Sequence, residues 1–270
     1  MIDHRSSMPI PSLTMLPVSI IIPCYNAAST LGRTLDSCIA QPQAAEIIVV
    51  DDGSNDASAA LAQQYAAHDA RVRVLPMPVN GGAARARNWA ALHASQPLLA
   101  FIDADDEYLP GALAAASTFL TEHPAEACVR FDVDFVGFPP EIATHPEFAN
   151  YAATLSNTVP SSLVIRRPVY AALGGFPCDD FFRRHGGEDG ALSLALRELF
   201  GNPRLTGAKL VRMHYHADIH AERYFRIGMG MLTPSAEVLA EAFERSRRYV
   251  VQAGASIAQW RALRGVVGPG

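Results

Sequence analysis

Three aspartates follow the apolar run at 98–102, and they are the residues of this chain that most directly suggest chemistry. The run LLAFI ends at Asp103, and Asp105 and Asp106 come just after it. Two carboxylates at positions i and i+2 of an extended segment point the same way, which suits a hard divalent cation such as Mg²⁺ or Mn²⁺. The simpler interpretation is a cap for a helix beginning near Pro110. One aspartate suffices for a cap, so three of them favour the metal site.

A second pair of acids, Glu188 and Asp189, stands in the stretch GGEDG just before a predicted helix. A helix N-terminus stabilises an ionised carboxylate, and flanking glycines let a loop approach a substrate closely. A capping box would explain one acid. Two adjacent acids in such a loop favour a catalytic role.

Two further stretches are less specific. VVDDGSND at 49–56 places Asp51 and Asp52 before a glycine, a pattern also found in ordinary strand–turn–helix junctions. NGGAARARN at 80–88 matches neither a P-loop nor GxGxxG. Its Arg85 and Arg87 suit either phosphate groups or a solvated helix face.

Three histidines lie close together near the end of the chain. His214 and His216 alternate at strand spacing, and His220 follows. A single histidine is more often structural. Three of them in a chain that already offers a metal site leave the ligand role and the structural role equally open.

The elements that must position these residues alternate along the first half of the chain. Strands are predicted at 18–22, 46–50, 71–77 and 98–103, and helices at 29–40, 55–69 and 84–95. This alternation predicts an α/β fold with a parallel sheet, and the apolar strands predict helices on both faces. Ligands of such sheets bind beyond the carboxyl ends of the strands. We therefore expect PCYN, DDGSND, PVNGG and DADD to converge on one edge.

The second half is less regular. A strand is predicted at 127–138, a polar mobile segment at 139–159, a strand, turn and short helix at 161–176, and a loop followed by a helix at 186–201. The predicted organisation is a flexible leader at 1–16, one domain at 17–216 and a helical C-terminal extension at 217–270. Within the domain, residues 17–108 form a first half and residues 109–216 a second half.

Composition restricts the classes of function. The chain has 270 residues, 49% of them hydrophobic, and a formal net charge of −5. That charge argues against a nucleic-acid partner. The cysteines form no CxxC pair, which predicts reduced thiols and no zinc site. No apolar run approaches the roughly 20 residues that span a bilayer, so we expect a cytoplasmic protein.

The ordered set of motifs resembles family 2 glycosyltransferases of the GT-A fold. The segments that carry the resemblance are VSIIIPCYN, EIIVVDDGSND, NGGAARARN, AFIDADDEYLP, GGF and GGEDGALSLALR. Each is weakly specific by itself, whereas the set in this order is highly specific. The resemblance implies a single GT-A type domain, with a Rossmann-like, mostly parallel sheet flanked by helices and a helical C-terminal tail. It also implies that residues 17–108 would bind the nucleotide-sugar and residues 109–216 the acceptor.

The resemblance also implies roles for individual residues. The nucleotide-binding segments of the family match Pro23, Tyr25, Asn26, Asp51, Asp52 and Arg87. Asp103 and Asp105 match the DxD motif, the first near the ribose and the second at the metal-bound diphosphate. His216 best matches a late metal-ligating histidine, with His214 as its competitor. Asp189 matches the catalytic base, and Glu188 beside it would bind the acceptor or orient the loop.

The implied reaction moves a sugar from a nucleotide-diphospho-sugar, with a UDP-sugar favoured, to a hydroxyl of a glycan or lipid-linked acceptor. It would need Mn²⁺ or Mg²⁺ and would invert the anomeric carbon, in cell-surface polysaccharide or glycolipid synthesis. The processive synthases of the family carry QxxRW, whereas this tail has QWRALR at 259–264. Processive extrusion is therefore not expected.

Two other classes remain as alternatives. A nucleotidyltransferase would carry a Gly-rich Arg/Lys loop after the first strand, where PCYNAAST stands instead. A non-catalytic nucleotide-sugar-binding protein would not need both DAD and GED. For the tail, a core-packing helix is favoured over docking on an anionic membrane. Peripheral contact with the inner face of the membrane stays open as the second interpretation.

Overall fold

The apolar runs of the sequence form one eight-stranded sheet in a computed structural model, which describes residues 15–217 and 219–266 except for the side chains of 263–266. In chain order the strands are β1 (Val18–Cys24), β2 (Ala44–Asp51), β3 (Val72–Pro76), β4 (Leu98–Phe101), β5 (Asp106–Tyr108), β6 (Cys128–Val136), β7 (Leu163–Arg166) and β8 (Arg204–His214). Their order across the sheet is β3-β2-β1-β4-β7-β6-β8-β5.

Helices cover both faces of this sheet. They are α1 (Leu31–Ile39), α2 (Ser58–His68), α3 (Ala83–His93), α4 (Ala112–Glu122), α5 (Pro140–Ala143), α6 (Phe148–Ser156), α7 (Arg167–Leu173), α8 (Asp180–His185), α9 (Glu188–Leu199), α10 (His220–Gly228) and α11 (Ala236–Val266). A short 3₁₀ turn, Pro160–Ser162, precedes β7.

The strand pairing confirms a mostly parallel α/β sheet. β1 lies between β2 and β4, and β3 lies beyond β2, all in parallel. β6 and β8 are also parallel, whereas β7 runs antiparallel to β4 and β6, and β5 runs antiparallel to β8. The parallel half carries the predicted nucleotide motifs, and the mixed half forms the rest of the domain.

Alternate side chains of the central strand enter different cores. Ile20 and Ile22 pack into the core that also receives residues of α1, α2 and α4. Ile21 packs into the other core, which receives residues of α3, α7, α9 and α11. Because both faces are covered, β1 reads as a continuous apolar run.

The C-terminal tail is helical, as expected, and both of its helices pack against the domain. Phe225 of α10 lies in the first core, and Val250 and Ala253 of α11 lie in the second. A non-helical stretch at 229–235 separates the two helices. No helix within 15–217 and 219–266 is long and apolar enough to cross a membrane.

The prediction of a mobile segment at 139–159 was wrong. The segment contains α5 and α6, and Ile142, Ala152 and Leu155 are buried. Phe148 stacks on Phe225 with ring centroids 5.2 Å apart. These apolar side chains recur at helical spacing and attach the segment to the first core.

Two smaller predictions concern the leader and the cysteines. Residues 1–14 of the expected leader lie outside the described residues, whereas the carbonyl of Leu16 accepts a hydrogen bond from Ser117 Oγ at 2.8 Å. Residue 16 is therefore part of the packed domain. The four cysteines are free thiols, as predicted, and all but Cys178 are buried.

Candidate functional site

The predicted site residues follow the carboxyl ends of neighbouring parallel strands. Tyr25 and Asn26 follow β1, Asp51 ends β2 with Asp52 directly after it, and Asp103 lies two residues beyond β4. Because β1 lies between β2 and β4, the three loops emerge side by side. The predicted convergence on one edge of the sheet is therefore confirmed.

The loop after β1 is held to the loop after β2 by hydrogen bonds. Asn26 has a left-handed backbone with φ 49°, which asparagine tolerates better than most residues. Its side-chain oxygen accepts from the N–H of Asn55 at 2.8 Å, and its own N–H donates to Ser54 Oγ at 3.0 Å. Tyr25 next to it is 48% exposed, so its ring is available for stacking on a planar base. Pro23 is buried inside β1.

Asp52 is buried and holds the loop after β3. Its two carboxylate oxygens accept from the backbone N–H groups of Gly81 at 2.7 Å and Gly82 at 2.8 Å. Gly82 has φ 86°, a conformation that glycine adopts at no cost. The structure thus gives Asp52 a loop-holding position, and its contact with a nucleotide stays a prediction. Asp51 is less buried, and its Oδ1 accepts from the N–H of Ser54 at 3.3 Å.

Arg87 joins the two acidic motifs that the sequence singled out. Its side chain is 4% exposed, with one guanidinium nitrogen 2.5 Å from Asp103 Oδ1 and another 3.3 Å from Glu188 Oε1. The guanidinium also lies over the ring of Phe176, 5.1 Å from the centroid. Burial alone would lower the pKa of Arg87, but the charges of Asp103 and Glu188 outweigh it and raise that pKa. Arg85, which is partly exposed near Asp180, therefore lies on a solvated helix face. Arg87 does not.

The three aspartates of the first motif have different surroundings. Asp103 pairs with Arg87, and its N–H donates to Ser161 Oγ at 3.1 Å. Asp106 is fully buried in β5 and accepts from the same hydroxyl at 2.6 Å. Burial and the charges of Asp105 and Asp103 raise the pKa of Asp106 well above its ordinary value. Of the three aspartates that favoured a metal site, Asp106 is therefore not accessible to a ligand, and it holds the loop from inside.

Asp105 lies in contact with His216. Asp105 Oδ2 is 2.7 Å from His216 Nε2, and both side chains are partly exposed. Burial and the charge of Asp103 raise the pKa of Asp105, and His216 opposes that shift. His214, the competing histidine, instead contacts Glu107. The geometry therefore places His216, rather than His214, beside Asp105.

The donor set of Asp105 and His216 fits a divalent cation only in part. No cluster of three or more histidine, cysteine or acidic side chains within 15–217 and 219–266 could hold a metal ion. A carboxylate with an imidazole is a two-donor set, which Mn²⁺ or Mg²⁺ accepts when phosphate oxygens and waters complete the shell.

Arg33 is a residue of the site that the sequence did not reveal. Its guanidinium donates to the carbonyl of Asp105 at 2.8 Å and lies 3.2 Å from Glu107 Oε1. Glu107 in turn contacts His214. Arg33 comes from α1, at a sequence separation of 72 residues from Asp105. No local pattern in the sequence signals a contact of that kind.

Glu188 and Asp189 begin α9, and their side chains have different partners. The helix is preceded by Gly186 and Gly187, with φ 74° and 97°, and no side chain caps it. Glu188 pairs with Arg87, whereas Asp189 Oδ1 accepts from the N–H of Gly190 at 2.7 Å. Burial and the charge of Glu188 raise the pKa of Asp189 to about 6. A carboxylate with that pKa is ionised at neutral pH and accepts a proton more readily than an ordinary aspartate.

Comparison with known proteins now identifies the family. The model named Glycosyl transferase family 2 matches residues 19–172, which is more than half of the chain. The chain belongs to glycosyl transferase family 2. The match contains the loops after β1, β2, β3 and β4 and ends before Asp189, so the assignment of the base rests on geometry and motif resemblance.

Relatives within this family act in the synthesis of bacterial glycans. The succinoglycan biosynthesis protein ExoU of Rhizobium meliloti (strain 1021) is 44% identical over 96 residues, which is 36% of this chain and 28% of that protein. The UDP-Glc:alpha-D-GlcNAc-diphosphoundecaprenol beta-1,3-glucosyltransferase WfgD of Escherichia coli is 37% identical over 97 residues, which is 36% of this chain and 38% of that protein. The chain thus aligns with well under half the length of these two relatives.

A solved structure confirms the GT-A type of fold. TarS 1-349 of S. aureus, crystallised in complex with UDP-GlcNAc, superimposes with a TM-score of 0.65 at 19% identity. The superposition covers 87% of this chain and 66% of that one. The predicted fold, with its mostly parallel sheet and C-terminal helix, agrees with this neighbour.

Proposed function

We propose that this protein is an inverting glycosyltransferase that moves a sugar from a nucleotide-diphospho-sugar to an acceptor hydroxyl. The observation that carries the proposal is that the buried guanidinium of Arg87 pairs with both Asp103 and Glu188. We call this pair of contacts the Arg87 bridge. Asp189 follows Glu188 directly, so the donor motif and the candidate base meet at one place. Membership of family 2 supports the reaction class.

The donor is proposed to bind across the carboxyl ends of β1, β2 and β4. Tyr25 offers an exposed ring to the base, with Asn26 and Asp51 in the adjoining loops and Asp103 on the ribose side. Arg87 faces this region with a buried positive charge, which stabilises negative charge on the leaving diphosphate. A UDP-sugar is favoured because WfgD is named for UDP-Glc and TarS was crystallised with UDP-GlcNAc.

A divalent cation is proposed as cofactor, with Asp105 and His216 as its protein ligands. Such a cation neutralises charge that develops on the diphosphate. The loop that contains Asp105 is itself held in place by hydrogen bonds to its backbone. Arg33 fixes the carbonyl of Asp105, and Ser161 fixes the N–H of Asp103.

Asp189 is proposed to remove the proton from the acceptor hydroxyl, while Glu188 stays paired with Arg87. General base catalysis of this kind contributes about 10² to 10⁴ in rate. Attack by the activated oxygen on the side opposite the diphosphate inverts the anomeric carbon. The name of WfgD, which pairs UDP-Glc with a β-1,3 product, supports this outcome.

The acceptor is proposed to be a sugar of a growing cell-surface polysaccharide, either free or linked to a lipid diphosphate. The names of ExoU and WfgD support that class. Because the alternatives of a nucleotidyltransferase and a non-catalytic binder also bind nucleotides, binding alone does not test the proposal. The test is mass spectrometry of reactions with UDP-, GDP-, dTDP- and CDP-sugars and a lipid-diphosphate GlcNAc acceptor, with and without Mn²⁺.

A glycosylated product and released nucleoside diphosphate are expected with a UDP-sugar and Mn²⁺. Binding of the donor without any product, over the full donor and acceptor set, would favour the non-catalytic binder. Release of pyrophosphate from a nucleoside triphosphate and a sugar phosphate would identify a nucleotidyltransferase instead.

A further inference from the structure

Arg130, in β6, is a fully buried arginine whose hydrogen-bond partners among the described residues are all neutral. Its guanidinium donates to Asn202 Oδ1 at 3.0 Å, to the carbonyl of Val159 at 2.9 Å, to Ser162 Oγ at 3.1 Å and to Ser193 Oγ at 2.6 Å. It forms no ion pair with a carboxylate in the described part of the chain. Burial lowers the pKa of Arg130 to about 10, so the side chain remains charged at neutral pH. Burying a charge among neutral groups carries a desolvation penalty, which an opposite charge nearby would reduce.

Asp189 of α9 shares a helix face with a residue that Arg130 contacts. Ser193, which accepts from Arg130, lies four residues after Asp189, and residues at this spacing share one face of a helix. Arg130 and Asp189 also influence each other electrostatically. The charge of Arg130 favours the ionised form of Asp189, and the charge of Asp189 favours the protonated form of Arg130.

Arg130 also reaches the other half of the site through the 3₁₀ turn. The turn presents Ser162 and the carbonyl of Val159 to Arg130, while Ser161 holds Asp103 and Asp106. The guanidinium of Arg130 therefore connects the 3₁₀ turn, which holds Asp103 and Asp106, to α9, which begins with Glu188 and Asp189.

We propose that Arg130 is a positioning residue for the transfer reaction, whose buried charge keeps Asp189 ready to accept a proton and whose hydrogen bonds fix α9 against the 3₁₀ turn. The inference rests on the proposed role of Asp189 as base. Three charged groups face that carboxylate, namely Glu188 on the same helix, Arg87 from α3 and Arg130 from β6. Arg87 is already paired with Asp103 and Glu188, whereas Arg130 forms no ion pair with any carboxylate that the structure describes.

The proposal is tested by following the titration of Asp189 without substrates. Aspartate labelled with ¹³C at the side-chain carboxyl carbon gives one NMR signal per residue, and the signal that disappears in Asp189→Asn belongs to Asp189. In the unmodified protein this signal is expected to titrate near pH 6. In Arg130→Met the midpoint is expected to rise by about one pH unit, the lower range of shifts caused by a nearby charge.

Two further variants separate the charge from the hydrogen bonds. Arg130→Lys keeps the charge and loses most of the bonds, so its midpoint is expected to stay near that of the unmodified protein while turnover falls. Arg130→Gln loses the charge and keeps two N–H donors, so its midpoint is expected to rise as in Arg130→Met. Arg130→Gln carries the test if Arg130→Met does not fold.

An unchanged midpoint in a folded neutral variant would overturn the proposal, because a purely structural arginine leaves the titration of Asp189 unaltered. An equal rise in Arg130→Lys would also overturn it, since the charge would then be irrelevant. The acidic limb of the pH–rate profile should move with the NMR midpoint. If no donor supports turnover, the proposed function falls while the NMR titration still decides the role of Arg130.

Discussion

Replacing Arg87 by methionine is expected to destabilise the folded protein by about 3 to 5 kcal/mol near neutral pH, the usual cost of removing one partner of a buried ion pair. The guanidinium is 4% exposed, and its partners Asp103 and Glu188 are 29% and 18% exposed. A hydrogen bond to a charged group contributes about 1.5 to 3 kcal/mol. Two such bonds, reduced for the partial exposure of both carboxylates, give a loss in the same range.

Without the guanidinium, the carboxylates of Asp103 and Glu188 lose the cation that they share. The measurement is urea unfolding of both proteins near neutral pH, with the free energy of unfolding extrapolated to zero denaturant.

Arg85→Met is the matched control, because Arg85 lies on the same helix and is partly exposed, 3.6 Å from the exposed Asp180. Its loss of stability should stay below about 1 kcal/mol, as for other surface ion pairs. If Arg87→Met costs no more than Arg85→Met at neutral pH, the bridge does not stabilise the site as reasoned.

The remaining predictions concern pH, metal and membrane. In a pH–rate profile, transfer should decline as the pH falls through about 6, where Asp189 becomes protonated. Glu188→Gln removes a negative charge that raises the pKa of Asp189, so the decline should move to lower pH in that variant. Asp105→Ala and His216→Ala should each abolish the Mn²⁺ dependence of UDP binding in calorimetry while the thermal unfolding midpoint changes little, and retained dependence in both would remove the metal assignment. Peripheral contact with anionic vesicles through α11, on which Phe243 is 61% exposed, should make the protein float with such vesicles at low salt and Phe243→Glu float less; no flotation of either protein would exclude that contact.

Much of the donor side could be predicted from the sequence because it depends on local patterns. An apolar run followed by polar residues fixes the end of a parallel strand, and such ends meet at one edge, which is how Asn26, Asp51 and Asp103 come together. Glycines before α9 and two acids in its first turn likewise belong to one short stretch. Those features need no knowledge of contacts between distant segments.

The parts that could not be predicted depend on contacts between distant segments. Ser161 reaches Asp106 across 55 residues, and Arg130 reaches Ser193 across 63. A buried arginine or serine has the same appearance in a sequence as an exposed one. Prolines and polar residues also hid the helical spacing of 139–159, where burial against Phe225 decides the structure.

The position of Asp52 also depends on contacts between distant segments, and the sequence predicted only part of it. Its position after β2 made it a candidate for nucleotide contact, yet both of its oxygens accept from the loop after β3. Burial of a carboxylate is stabilised by backbone N–H groups, and only the folded chain shows that they are present. Asp51, one residue earlier, is the more accessible of the pair.

The central claim is that Asp189 removes the proton from the acceptor, and steady-state kinetics of Asp189→Asn with saturating donor and Mn²⁺ test it most directly. An ionised Asp189 with a pKa of about 6 destabilises the folded state at neutral pH, so the asparagine variant should fold at least as stably as the unmodified protein. Its turnover should fall by at least about 10², the lower bound for a lost general base, with donor affinity nearly unchanged. Turnover close to that of the unmodified protein in Asp189→Asn, together with a large loss in Glu188→Gln, would contradict the account and assign the base to Glu188.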